Sequence, residues 1–86
     1  MNSEMFYNNE SIYNLQYNNI KNIFVSYGII KEINKYKLIY TGNISSKYSL
    51  IFNLSNNKLI GIYINKSKYY NNGLFFKYII KEYKKI

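Results

Sequence analysis

The one chemically suggestive pairing that recurs in this chain is lysine beside tyrosine. Within Tyr63-Ile64-Asn65-Lys66-Ser67-Lys68-Tyr69-Tyr70-Asn71-Asn72, two ammonium groups, two adjacent phenols and several amides share one polar stretch. Lys66 and Lys68 there are suited to neutralising phosphates, with Tyr69 or Tyr70 stacking on an unpaired base or a ribose. The competing reading is an ordinary polar hairpin loop whose tyrosines fold back on the core. Lys47 beside Ser45-Ser46, taken with Lys35 and Lys37, forms a second candidate patch, and Lys77, Lys81, Lys84 and Lys85 form a third. For the third, a solvated strand face with a basic tail is the competing reading. No arginine occurs, so bidentate reading of guanine edges is excluded, and any nucleic-acid contact is expected to address backbone and shape.

Residues that make or break bonds are scarce. Histidine, cysteine and aspartate are absent, and the four glutamates, Glu4, Glu10, Glu32 and Glu82, are scattered. An activated nucleophile needs a base beside it, acid–base work needs a positioned pair, and a metal needs clustered ligands. No glycine-rich phosphate loop occurs either. The expectation is no catalysis, no metal, no cofactor and no small-molecule substrate.

Charge is the strongest compositional signal. Twelve lysines against four glutamates give +8, and the excess is uneven. Residues 1–30 hold one lysine against two glutamates, whereas residues 31–86 hold eleven against two. Such a field suits a polyanion, either nucleic acid or an anionic membrane surface, although lysines can also merely solvate a surface. Ile, Asn, Lys, Tyr, Phe and Leu fill 65 of the 86 positions, and all six have codons written with A and T alone. Strong AT mutational pressure, as in organellar and other reduced genomes, accounts for this, and it makes the abundance of Asn and Tyr weak evidence of selection. No apolar run approaches the ~20 residues of a membrane span, and Met1-Asn2-Ser3-Glu4 does not open a signal peptide. The chain is therefore expected not to span a membrane.

These side chains must be held by some framework, and 86 residues allow one modest core without disulfide help. In residues 1–21, Tyr13, Tyr17 and Ile20 recur at helical spacing behind Ser11 as a possible N-cap, which predicts a short helix or a tail. From residue 22 to 86 the period is two, and a single β domain is expected. Ile23, Val25, Tyr27, Ile29 and Ile33 define one apolar face, with Ser26, Gly28 and Glu32 opposite and a break at Lys31. After a turn at Asn34-Lys35, Tyr36, Leu38 and Tyr40 alternate with Lys37, Ile39 and Thr41, and Gly42-Asn43 ends the strand. Tyr48, Leu50, Phe52 and Leu54 form the next face, with Lys47, Ser49 and Asn53 opposite and Ile51 the exception, before a turn at Ser55-Asn56-Asn57. Residues 58–65 are apolar on both faces, with Gly61 marking a bulge or a close approach. Asn72-Gly73 reads as a hairpin turn, and a last strand is expected from Leu74 to about Tyr83. So many short strands must close or pack, which predicts an all-β, mostly antiparallel fold: a small five- or six-stranded barrel of the oligonucleotide-binding kind. An open antiparallel sheet covered by the N-terminal segment is the alternative.

Two resemblances rest on these segments. Gly28-Ile29-Ile30-Lys31, Ser67-Lys68-Tyr69-Tyr70 and Gly73-Leu74-Phe75-Phe76 resemble stretches of the small-ribosomal-subunit protein seventeen family, an oligonucleotide-binding barrel. Several of that family's basic and acidic positions are missing here. Gly28-Ile29, Thr41-Gly42, Asn53-Leu54, Ile60-Gly61-Ile62 and Asn72-Gly73 with Lys77 are spaced similarly to the N-terminal barrel of the rotary ATP synthase alpha subunit. That subunit does its work in a nucleotide-binding domain with a phosphate loop, which this sequence does not include.

The first resemblance, with the charge and the codon signature, implies a ribosomal protein of an organelle interior, mitochondrial matrix or plastid stroma. Its partners would be ribosomal RNA and neighbouring ribosomal proteins. The second implies a structural accessory subunit of a membrane-associated energy-conversion complex. A viral or plasmid nucleic-acid-binding protein is a third, more distant expectation.

Overall fold

The computed structural model describes residues 9–19 and 22–76 and places six β-strands among them. They are β1 (Ser11–Asn19), β2 (Asn22–Asn34), β3 (Lys37–Tyr40), β4 (Ser49–Asn53), β5 (Leu59–Lys66) and β6 (Asn71–Phe75). All pairings are antiparallel, and the ladder closes on itself in the order β1-β2-β3-β6-β5-β4. The all-β barrel expected from the sequence is what the chain forms. Closure gives each of these strands a paired neighbour on both sides, which reduces the main hazard of a short strand-rich chain.

Residues 11–19 correct the expectation of an N-terminal helix or tail. They form β1, paired on one side with β2 and on the other with β4, so this segment belongs to the barrel. A spacing of four, as between Tyr13 and Tyr17, is even and fits one face of a strand as well as one face of a helix. The neighbouring asparagines, poor helix formers, leave pairing on both sides to decide. Residues 1–8 and Ile20 lie outside the described residues.

Connectivity explains what fills the barrel. β3 and β4 stand opposite each other in the ring, so residues 41–48 must cross one mouth of the barrel. A crossing loop brings backbone N–H and C=O groups into a closed space, and these need partners. The partner is Gln16 of β1, which is fully buried. Its Nε2 donates to the Asn43 carbonyl and to Ser26 Oγ, both at 2.8 Å, and its Oε1 accepts from the N–H groups of Ser45 at 3.0 Å and Ser46 at 3.3 Å. Asn71 Nδ2 donates to the Gly42 carbonyl at 2.9 Å, and Ser49 Oγ donates to Asn14 Oδ1 at 3.3 Å. The interior at this mouth is therefore polar. The apolar core, Ile12, Ile30, Ile33, Leu38, Tyr40, Ile51, Ile60 and Phe75, fills the remainder.

That polar plug corrects the facing of two strands. Ile23, Val25, Tyr27 and Ile29, which the alternation puts on one apolar face, are all exposed, and Tyr48 and Leu54 are exposed as well. Ile30, Ser49, Ile51 and Asn53 point inward instead. A bulge between Ile30 and Glu32 shifts the phase, so Ile33 is inside although Ile29 is outside. β3 behaves as expected, with Leu38 and Tyr40 buried. Lys35 takes a positive φ of 54° in the β2–β3 turn, and Asn57 takes 60° after β4.

Close approach fixes two glycines. A Cβ on Gly28 would lie 1.8 Å from the Thr41 carbonyl oxygen, and the strands are locked there by Thr41 N–H to Ile29 O at 3.0 Å and Ile29 N–H to Thr41 Oγ1 at 2.9 Å. Gly61 similarly lies against the Leu74 carbonyl, as its place in an apolar strand predicts. Asn72-Gly73, expected as a turn, lies inside β6 instead. The turn is made by Ser67, whose N–H and Oγ both donate to the Tyr70 carbonyl at 2.8 and 2.9 Å. β6 ends at Phe75, short of the expected Tyr83, and residues beyond 76 lie outside the described residues.

Candidate interaction surfaces

Strand directions distribute the candidate lysines to opposite ends of the barrel. Lys35, in the β2–β3 turn, and Lys37, opening β3, sit at one end. Lys47, in the crossing loop, Lys66, ending β5, and Lys68, Tyr69 and Tyr70, in the β5–β6 turn, sit at the other. The patch that grouped Lys35 and Lys37 with Lys47 is therefore divided by the length of the barrel. Lys77, Lys81, Lys84 and Lys85 lie outside the described residues.

At the crossing-loop end two of the three lysines, Lys47 and Lys68, lean on a ring. The Lys47 ammonium stands 5.7 Å from the centroid of Tyr48, and that of Lys68 stands 5.4 Å from the centroid of Tyr69. Tyr69 is 75% exposed. The Lys47-Tyr48 pair is held from behind: Ser46 Oγ donates to the Tyr17 carbonyl and accepts from the Tyr48 N–H at 3.1 Å. The clamp on Ser45 and Ser46 by buried Gln16 thus positions Lys47 and Tyr48 on a rigid support.

A second surface, not anticipated as a site, runs along the outside of β2, β1 and β4. Cross-strand partners on this face are Tyr27–Tyr13–Phe52, Val25–Leu15–Leu50 and Ile23–Tyr17. The Tyr13 and Phe52 rings stack at 5.1 Å with planes 9° apart. Ile23 is 56% exposed and Tyr27 66%. With Tyr17, Val25, Ile29 and Tyr48, each exposed by more than a third, these side chains form a contiguous apolar and aromatic face. None of the outward residues from Ile23 to Ile29, nor Tyr13, Leu15, Tyr17, Leu50 and Phe52, carries a charge. The signal was present as the alternation in 23–29, and the sign of the face was carried by Asn14 and Gln16 on β1, whose neighbours Tyr13, Leu15 and Tyr17 are the outward set.

The two surfaces meet at a pocket of about 300 Å³ lined by Tyr17, Lys47, Tyr48, Ser49, Leu50, Ile62 and Tyr63. Leu50 and Ile62 are register partners and both line it. Tyr40 is a buried side chain whose hydroxyl has no hydrogen-bond partner among the described residues. Burial pushes that hydroxyl well above the ordinary tyrosine range, and the nearby Tyr63 adds to the shift.

Among the described residues no group of three or more His, Cys, Asp or Glu stands close enough to hold a metal ion, and no helix is long and apolar enough to cross a membrane. No protein-family model matches the chain, and no curated protein matches it.

Proposed function

We propose that the chain is a non-catalytic structural subunit of a multisubunit assembly, attached through the outer wall of β2, β1 and β4. The uncharged wall is the observation that carries this reading. In a chain of net charge +8, a contiguous apolar face with no lysine on it suits burial against protein and is poorly suited to a phosphate backbone. Within the expectations drawn from the sequence, this favours an accessory subunit of an energy-conversion complex in an organelle, of the kind whose alpha-subunit barrel the sequence resembles. Two of the segments that carry that resemblance, Gly28-Ile29 and Thr41-Gly42, pack directly on each other in the barrel, a point in its favour.

Sedimentation of native particles tests it. The chain should co-migrate with a membrane-associated energy-conversion complex, and the double substitution Val25→Lys, Tyr27→Lys should release it while leaving the barrel folded. Co-migration with ribosomes, or retention of the doubly substituted chain, would overturn the reading.

A ribosomal role is the second reading, favoured by the cluster of Lys47, Lys66, Lys68 and Tyr69 at one end of the barrel. Those lysines would then meet folded ribosomal RNA. Binding to structured RNA should weaken steeply with salt, with each lysine–phosphate contact adding about 0.9 to the slope. Absent or salt-independent binding would exclude this role.

A further inference from the structure

The pocket where the apolar wall meets the lysine-bearing end differs from both surfaces in combining an apolar lining with a cation, Lys47, that rests on a ring. Leu50 and Ile62, with Tyr17, Tyr48 and Tyr63, supply an apolar and aromatic lining, and Lys47 lines it too. No acidic residue lines it among the described residues. We infer that this pocket is the socket for an anchor side chain of a partner protein: an aromatic or large aliphatic group followed closely by a carboxylate. This rests on the assembly reading above and deepens it by naming the chemistry of the partner.

Three observations support the inference. The volume, about 300 Å³, is enough to admit one large side chain. The walls are held before binding, because Gln16 fixes the Ser45 and Ser46 backbone and Ser46 Oγ fixes that of Tyr48, so little ordering cost remains for the complex. The pocket is continuous with the uncharged wall through Tyr17 and Leu50, so an occupant would be surrounded by surface that excludes water, as anchor residues at protein interfaces are. Lys47 adds sign selectivity. Its ammonium rests on the Tyr48 ring and retains donors for a carboxylate at the mouth.

The test uses the full chain, labelled for nuclear magnetic resonance, and three small probes: 3-phenylpropionate, phenethylamine and uridine 5′-monophosphate. The aryl carboxylate should shift the resonances of Tyr48, Leu50 and Ile62 and bind about fivefold more tightly than the aryl amine, the upper range for one exposed ion pair. Lys47→Glu should invert that order, and Leu50→Trp, which fills the pocket, should abolish binding of both aryl probes while the remaining spectrum keeps its dispersion. Equal affinity for acid and amine, or no shift at the pocket with any probe, would overturn the inference. Tighter binding of the uridine nucleotide would overturn it too, and would assign the pocket to nucleic acid. If the probes fail while Val25→Lys, Tyr27→Lys still detaches the chain from its complex, only the socket is lost. If that double substitution has no effect, the assembly reading itself falls.

Discussion

The N–H of Ser45 donates to Oε1 of Gln16 at 3.0 Å across 29 residues of sequence, and that bond ties a loop spanning the barrel mouth to the first strand. The same side-chain oxygen accepts from Ser46, and the amide nitrogen serves Asn43 and Ser26. Gln16→Leu, similar in size, leaves the loop groups without partners, each costing about 1–3 kcal/mol where it is buried. The substituted protein should lose roughly 3 kcal/mol in urea unfolding. A loss below about 1 kcal/mol would mean that solvent already serves the loop.

Gly28 should admit no side chain. A methyl group there would stand 1.8 Å from the Thr41 carbonyl oxygen, on a residue whose N–H donates to the Ile29 carbonyl and whose Oγ1 accepts from the Ile29 N–H. Gly28→Ala is expected to separate the β2 end from the crossing loop and to cost about 4 kcal/mol or more, among the most severe single substitutions. Thermal unfolding by circular dichroism would register it as a large fall in Tm.

Inner and outer isoleucines should respond differently. Ile51, fully buried, should cost about 2–5 kcal/mol on conversion to Ala. Ile23, more than half exposed, should cost under about 1 kcal/mol. Equal losses in chemical denaturation would contradict the facing of these strands.

Alkaline solution should destabilise the fold through Tyr40. Its hydroxyl titrates higher in the folded chain than the usual ~10 of an unfolded one, so the native state retains a proton that the unfolded state releases. Stability is therefore full below about pH 10 and falls above it, by up to about 1.4 kcal/mol per pH unit from this group. Tyr40→Phe should remove that part of the slope. At neutral pH it should be close to neutral or mildly stabilising, because the hydroxyl is buried without a partner among the described residues. Urea midpoints collected across the alkaline range would show both effects.

Period-two alternation located β2, β3, β4 and β5 within a few residues, and the turn chemistry at Asn34-Lys35 and Ser55–Asn57 was legible as well. The direction each strand faces was not. Alternation assigns residues to two faces and does not say which is inside, and the usual rule that the apolar face is buried fails where the interior must host a loop backbone. Ile23, Val25, Tyr27 and Ile29 were displaced outward because Asn14, Gln16 and Ser49 were needed inside. The lysines of the β5–β6 turn were legible as an exposed set, whereas the separation of Lys35 and Lys37 from Lys47 follows only from the ring order. The pocket draws Tyr17, Lys47 and Ile62 from distant positions, and no local pattern marks it.

The ring order has a consequence for biogenesis. β1-β2-β3 and β4-β5-β6 are each a meander of neighbouring strands, and only two seams, β1 with β4 and β3 with β6, join them. A nascent chain that has completed the first meander carries two raw strand edges and an unplugged mouth until the second emerges. The crossing loop is then a tether that raises the local concentration of one half for the other. Cutting it should yield two fragments that recombine in trans more slowly than the intact chain folds.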